Sequence, residues 1–290
     1  MEFKKAYVIA EAGCNHMGQM GIAKDLIETA AHYCKADAIK FQKRCNKELL
    51  TEEQYKAPHP NPANSYGETY GAHREALEFS QEQHAQLKTW CEAAGITYST
   101  SVWDLTSAQE IAAIKPEFIK IPSACNNNKE MLSWLCENYS GEIQVSVGMT
   151  TREEEKALVE LFAQKGRNSD LVVFACTSGY PVPYHDVCLL EIMRLRESYG
   201  SQVKAVGFSG HHLGIAVDIA AYVLGAELIE RHYTHNKAWK GTDHGASLEP
   251  DEVHRLVKDL SSVFEALVHK DEEILDIEKI QRDKLKYRKS

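Results

Sequence analysis

The chain has 290 residues, and its 42 acidic against 33 basic side chains give a formal net charge of −9. No basic stripe interrupts the sequence before the terminal DKLKYRKS, which counts against duplex nucleic acid or an anionic membrane as a partner. No apolar run reaches the ~18 residues of a membrane span, and MEFKKAYVIAEAG lacks the small-residue cleavage site of a secretory signal, so a cytoplasmic protein is expected.

Short β-branched runs alternate with amphipathic stretches along the whole chain. Ala6–Gly13 reads as a strand, Gly21–Cys34 as a helix with apolar residues at i, i+3 and i+4, and Ala38–Lys43 as a second strand. From about Leu49 to Phe79 the pattern breaks into an irregular insertion containing APHPNPANSYGETYGAHREALEF. Its tyrosines and histidines would be wasted in a solvated linker, so it predicts either a cover over a binding site or a subunit contact. Regular alternation then resumes, with helices at Gln81–Ala94, Leu105–Ile114, Arg152–Gln164, Leu189–Tyr199 and Ile215–Leu224. The strands between them are Ile96–Ser101, Phe118–Ala124, Ile143–Met149, Leu171–Thr177, Ala205–Gly210 and Glu227–Thr234. Glu249-Pro250-Asp251-Glu252 opens a last helix, with proline and acids suited to its first turn. Eight such strands predict a single-domain (β/α)8 TIM barrel over residues 1–290, since ~250 residues is ordinary for one barrel. A doubly wound open sheet is the alternative, but near-equal units with no long antiparallel section favour closure. The eight cysteines form no CxxC pair, as expected of reduced thiols packed as small hydrophobes.

The polar residues at strand ends are the candidates for chemistry, because in a barrel they face one mouth. They are Glu11, Lys40, Gln42, Thr100, Lys120, Ser123, Ser146, Thr177, Tyr180, Ser209, His211, Glu230 and His232. Lys40 and Lys120 sit inside the apolar runs AIKFQ and FIKIPS, where a lysine needs an anionic partner. With several hydroxyls beside them they describe a pocket for phosphate or carboxylate. His211 and His232 each follow a short buried-type strand, with Ser209 and Glu230 as polar neighbours. They either converge on one metal ion or are core histidines satisfied by hydrogen bonds.

Eight segments in order, YVIAEAGCNHMG, AIKFQK, YSTS, FIKIPSACNN, VSVGM, CTSGYPVPY, GFSGHH and IERHYT, resemble the strand-end motifs of the sialic acid synthase family. These are phosphoenolpyruvate-condensing enzymes that make nonulosonic acids on a TIM barrel, and the likeness runs from about residue 6 to 260. The resemblance implies that Lys40, Thr100, Lys120, Ser123, Ser146 and Ser209 bind phosphoenolpyruvate, with Gln42 as a neighbouring polar group. It implies that His211 and His232 hold Mn2+ or Mg2+, that Glu11 and Glu230 are the catalytic acids, and that Tyr180 and Asp243 lie near the acceptor sugar. A homodimer acting on phosphoenolpyruvate and an open-chain aldose, N-acetylmannosamine or a related sugar, is the expectation. The product would be a nonulosonic acid and phosphate.

Two positions depart from the family pattern: KIPSACNN carries Cys125 where an acid is usual, and CTSGYP carries Ser178 where asparagine is usual. Both are expected on the acceptor side. The family commonly adds a C-terminal antifreeze-protein-like domain that lends an arginine to the partner's acceptor site. With the chain ending at Ser290, that domain is expected to be absent, and His59, His73 and Arg74 of the insertion are the nearest local substitutes. A synthase of a different ulosonic acid would keep the phosphoenolpyruvate and metal residues and change only the acceptor side. A catalytically silent barrel would have lost lysines or histidines that this chain retains.

Overall fold

The strands are largely apolar on both faces, as expected of parallel strands covered by helices. The computed structural model describes residues 3–287. Its strands are β1 (Tyr7–Gly13), β2 (Ala38–Lys43), β3 (Thr97–Val102), β4 (Phe118–Ile121), β5 (Glu142–Ser146), β6 (Leu171–Cys176), β7 (Ala205–Gly210) and β8 (Leu228–His232). They pair in chain order, all parallel, and β1 closes on β8 with Tyr7 opposite Leu228. A (β/α)8 barrel is therefore the fold, and the open-sheet alternative falls.

The α-helices in chain order are α1 (Met20–Thr29), α2 (Asn46–Leu49), α3 (Glu52–Lys56), α4 (Tyr70–Leu77), α5 (Gln81–Ala94), α6 (Leu105–Ala113), α7 (Lys129–Asn138), α8 (Arg152–Gln164), α9 (Leu190–Tyr199), α10 (Ala216–Val223), α11 (Pro250–Ala266) and α12 (Asp276–Leu285). None is long and apolar enough to cross a membrane, among the described residues. Outward strand residues such as Val8, Ile39, Phe41, Ile119 and Val173 form one core with the helices. Inward residues Ile9, Ala38, Phe118, Val172, Phe174 and Leu228 fill the barrel's lower interior as a second, separate core. Inward positions one layer higher carry charge instead of hydrocarbon, which is where the site begins.

Two expected boundaries shift. β4 stops at Ile121, because Pro122 offers no N–H to a ladder, and the chain turns through a 3-10 segment at Ser123–Cys125. The insertion is not irregular. It follows α2 and folds into α3 and α4 with a 3-10 turn at Pro62–Asn64. Thr51 and Gln54 form a capping box at α3, and Thr69 accepts from Ala72 N at α4, local signals that the count of prolines and tyrosines obscures. At α11, Pro250 takes the first helical position and Glu252 accepts from Glu249 N at 2.8 Å, as the EPDE motif predicts. All eight cysteines are free thiols, with Cys34, Cys91, Cys125 and Cys136 buried.

Candidate active site

A cavity of about 340 Å³ opens at the carboxyl ends of the strands. Glu11, Lys40, Gln42, Lys120, Ser123, Ser146, Tyr180, Ser209, His211, Glu230 and His232 all line it. Eight strands or their following loops thus contribute, in the place where barrel enzymes keep their chemistry. A larger cavity of about 550 Å³ lies at the opposite end, where Lys4 pairs with Glu227 and Lys204 with Glu142.

The floor of the site is a buried lattice of two ammonium groups and two carboxylates. Lys40 is ion-paired with Glu11, lies 3.8 Å from Glu230 and donates to Ser101 Oγ at 2.6 Å. Lys120 reaches Glu230 Oε2 at 3.2 Å and sits over the Phe174 ring, 3.3 Å from its centroid. Ser209 donates to Glu230 Oε1 at 3.0 Å, and Gln42 donates to Glu11 Oε1 at 3.2 Å. All four charged groups are buried. Burial raises the Glu11 carboxyl above its ordinary value, against the pull of Lys40. Burial also acts on Glu230, but there Lys120, Lys40 and the Ser209 hydroxyl prevail and hold it lowered to about 2. Lys120 lies below the ordinary ammonium range even beside Glu230, because burial, joined by the like charge of Lys40, outweighs that one carboxylate. The two acids are thus driven in opposite directions by their surroundings.

Higher in the cavity the rings of His211 and His232 stand 5.4 Å apart between centroids, with the Tyr180 ring 4.5 Å from the first and 5.7 Å from the second. His211 Nδ1 lies 3.1 Å from the Thr177 carbonyl, so Nδ1 carries the proton and Nε2 keeps its lone pair. Burial, then the neighbouring His232, pushes the His211 pKa down to about 3, and the ring is neutral. His232 Nδ1 is buried without a hydrogen-bond partner. Among the described residues no group of three or more His, Cys, Asp or Glu is arranged to hold a metal. A neutral histidine with an oriented tautomer beside a second histidine could supply two nitrogen donors to a metal ion.

Four expected residues fall outside the cavity lining. Thr100 points out of the barrel, where its hydroxyl donates to Tyr98 Oη at 2.6 Å and lies 3.5 Å from His84 Nδ1. The inward residue is Ser101, which shares register with Gln42 on β2 and Lys120 on β4. A strand alternates with period two, so an error of one position exchanges the faces. If the cavity binds phosphoenolpyruvate as the resemblance implies, Ser101→Ala should weaken that binding by ~1 kcal/mol and Thr100→Val leave it unchanged, as read by titration calorimetry. Thr177 likewise turns away, its hydroxyl donating to Asp186 O at 2.8 Å. Cys125 does not face the acceptor side: it is packed in the core with Sγ 3.7 Å from the Val102 carbonyl, and Ala124 lines the cavity in its stead. Ser178 does line it. Asp243 is half-buried in the turn after β8, outside the cavity lining, close enough for its charge to add to the burial that raises the Tyr180 phenol.

Trp103, Met149 and Cys176 complete the wall without having been singled out in the sequence. Trp103 ends the run YSTSVW one pleat beyond Ser101, a signal available once the inward face of β3 is known. The insertion reaches this wall from behind. Arg74 donates twice to Tyr70 Oη, at 3.1 and 2.8 Å, and lies 5.7 Å from the Trp103 ring centroid. His59 and His73 pack against each other at 4.3 Å, inside the insertion and not in the cavity. Tyr66 donates to the Lys240 carbonyl, which ties the insertion to the loop after β8.

Paired acids, paired lysines and paired histidines thus stand together at the mouth of a closed parallel barrel. The NeuB family model matches residues 26–272, and the chain belongs to the NeuB family. It is 34% identical over 284 residues to the human N-acetylneuraminate-9-phosphate synthase, covering 96% of this chain and 76% of that one. It is 32% identical over 265 residues to the N,N'-diacetyllegionaminic acid synthase of Campylobacter jejuni, covering 91% and 78%. The crystal structure of N-acetylneuraminic acid synthetase from Leptospira borgpetersenii, in complex with citrate, superposes with a TM-score of 0.81 at 27% identity, covering 98% of this chain and 94% of that one.

Proposed function

We propose that the protein condenses phosphoenolpyruvate with an open-chain aldose, N-acetylmannosamine or a related sugar, to give a nonulosonic acid and phosphate. The observation that carries this reading is the convergence of Lys40, Lys120, Glu11, Glu230, His211 and His232 in one cavity of a NeuB-family barrel. Lys40 and Lys120, with Ser101, Ser123, Ser146 and Ser209, supply the charge and donors that hold the phosphate and carboxylate of phosphoenolpyruvate. Carbon 3 of the enol attacks the aldehyde carbon, leaving positive charge at carbon 2. Glu230, kept anionic by the lysines, stabilises that charge. Glu11, whose carboxyl is raised by burial, accepts the proton of the water that adds to carbon 2. The tetrahedral adduct then expels phosphate.

His211 and His232 would hold a divalent ion, whose contribution is to polarise the aldehyde oxygen. Imidazole donors suit a first-row transition ion such as Mn2+ better than Mg2+, which prefers oxygen ligands. The test is a phosphate-release screen with phosphoenolpyruvate, Mn2+ and a panel of aldoses, phosphorylated and free. Release that requires both substrates is expected. Release without an aldose, or none with any aldose, would overturn the reading, and turnover confined to an aldose that is not N-acetylated would point to a different ulosonic acid.

The acceptor side has its own expected result. Arg74 stacks on Tyr70 and Trp103, its Nη1 is buried without a partner, and Trp103 forms part of the cavity wall. Arg74→Ala should raise the KM of the aldose or lower kcat while leaving the phosphoenolpyruvate KM unchanged. Equal effects on both substrates, or none, would assign the insertion to a subunit contact.

A further inference from the structure

One side chain of β8 leaves the cavity altogether. Arg231 stands between Glu230 and His232, and strand alternation sends it to the outer face of the barrel, under the loop that joins β7 to α10. It is 2% exposed. Its guanidinium is ion-paired with Asp218 in the first turn of α10, and Nη1 donates to the Gly214 carbonyl at 2.7 Å. Nη2 donates to the His212 carbonyl, and Nη1 lies 3.0 Å from His212 Nε2. Asp218 and His212 are fully buried. Each of these partners falls within residues 212–218, a segment that begins one position after His211.

Such a pair adds little stability, because desolvating a guanidinium and a carboxylate costs about as much as their attraction returns. It does impose geometry. A planar fork bonded to two carbonyls of one loop fixes that loop against the strand that carries the fork. The far side of His211 is fixed independently, by Nδ1 against Thr177 O and by its own carbonyl, which accepts from Val182 N at 2.9 Å. His232 follows Arg231 in the chain, and His211 precedes the residue whose carbonyl Arg231 holds. The two imidazoles are therefore linked through one buried ion pair that touches neither of them.

We infer that Arg231 and Asp218 are positioning residues that set the spacing of His211 and His232 and so the affinity of the pair for a divalent cation. This rests on the reading of the two histidines as metal ligands. The test is calorimetric titration of Mn2+ into the full chain and into Arg231→Lys and Asp218→Asn, with phosphoenolpyruvate titrated separately into metal-free protein. Both variants should bind Mn2+ about tenfold or more weakly, the usual effect of losing a group that orients a ligand, with phosphoenolpyruvate affinity unchanged. Unchanged Mn2+ affinity in a folded variant would overturn the inference. Parallel loss of both ligands, or failure of both variants to fold, would show a role in stability alone and overturn it too. Failure of the unsubstituted chain to bind Mn2+ would instead remove the underlying metal reading, so the two failures are distinguishable.

Discussion

Replacing His211 or His232 by alanine is expected to abolish turnover while the barrel stays folded. If the pair holds a Lewis acid, its loss removes several kcal/mol of charge stabilisation at the aldehyde oxygen, and ~4 kcal/mol corresponds to a fall in kcat of ~10³-fold. The structural cost is smaller. His211 gives up one hydrogen bond to the Thr177 carbonyl, worth ~1 kcal/mol, and His232 Nδ1 has no partner to lose. Circular dichroism should therefore show a folded protein where the phosphate assay shows none of the activity. The unsubstituted protein should lose activity on chelation and regain it with Mn2+. Full activity after chelation would refute the assignment.

Lys40→Ala has the second largest expected effect, and it acts on binding and stability together. Loss of the ammonium group should weaken phosphoenolpyruvate binding by ~1.5–3 kcal/mol, the range of a charge-assisted hydrogen bond. It also leaves the buried Glu11 carboxylate without its cation, and Glu11 already titrates above its ordinary value of 4.5. Without Lys40 its folded-state pKa rises further above the unfolded one. A group raised in this way costs little below pH 4.5, where both states are protonated, and costs progressively more as the pH climbs towards the folded value. Chemical denaturation should find the variant close to the parent in acid and clearly less stable at pH 8. An equal deficit at both pH values would show that Glu11 is not the group set free. Unchanged affinity in calorimetry would remove Lys40 from the phosphoenolpyruvate site.

Trp103 and Cys125 show how the two levels of information divide. The eight apolar runs, and the lysines buried within two of them, fall out of local pattern, because a strand that is covered on both faces has to be apolar along its length. That pattern alone determined the number of strands and the residues near each strand's carboxyl end; it favoured a closed barrel over an open sheet, and the pairing of β1 with β8 decided it. The pattern did not determine which of two neighbouring residues enters the barrel. Thr100 and Ser101 are both small, polar and at the end of the same strand, and only the register with Gln42 and Lys120 decides between them. Pro122 ends β4 before Cys125, so the 3-10 turn carries that thiol into the core, away from the cavity where a continued strand would have been read.

The insertion divides in the same way. Its caps at Thr51 and Thr69 are written in the sequence, yet the packing of Arg74 behind Trp103 joins helix α4 to the residue after β3 and has no local signature. Arg231 is the sharpest case. By sequence it is one more charge beside a histidine, and burial against Asp218 and the β7–α10 loop is a property of the closed barrel alone. Local periodicity determines which residues lie in strands, because side-chain burial repeats along the chain. Which groups meet is decided by strand register and loop packing, which depend on contacts between residues far apart in sequence.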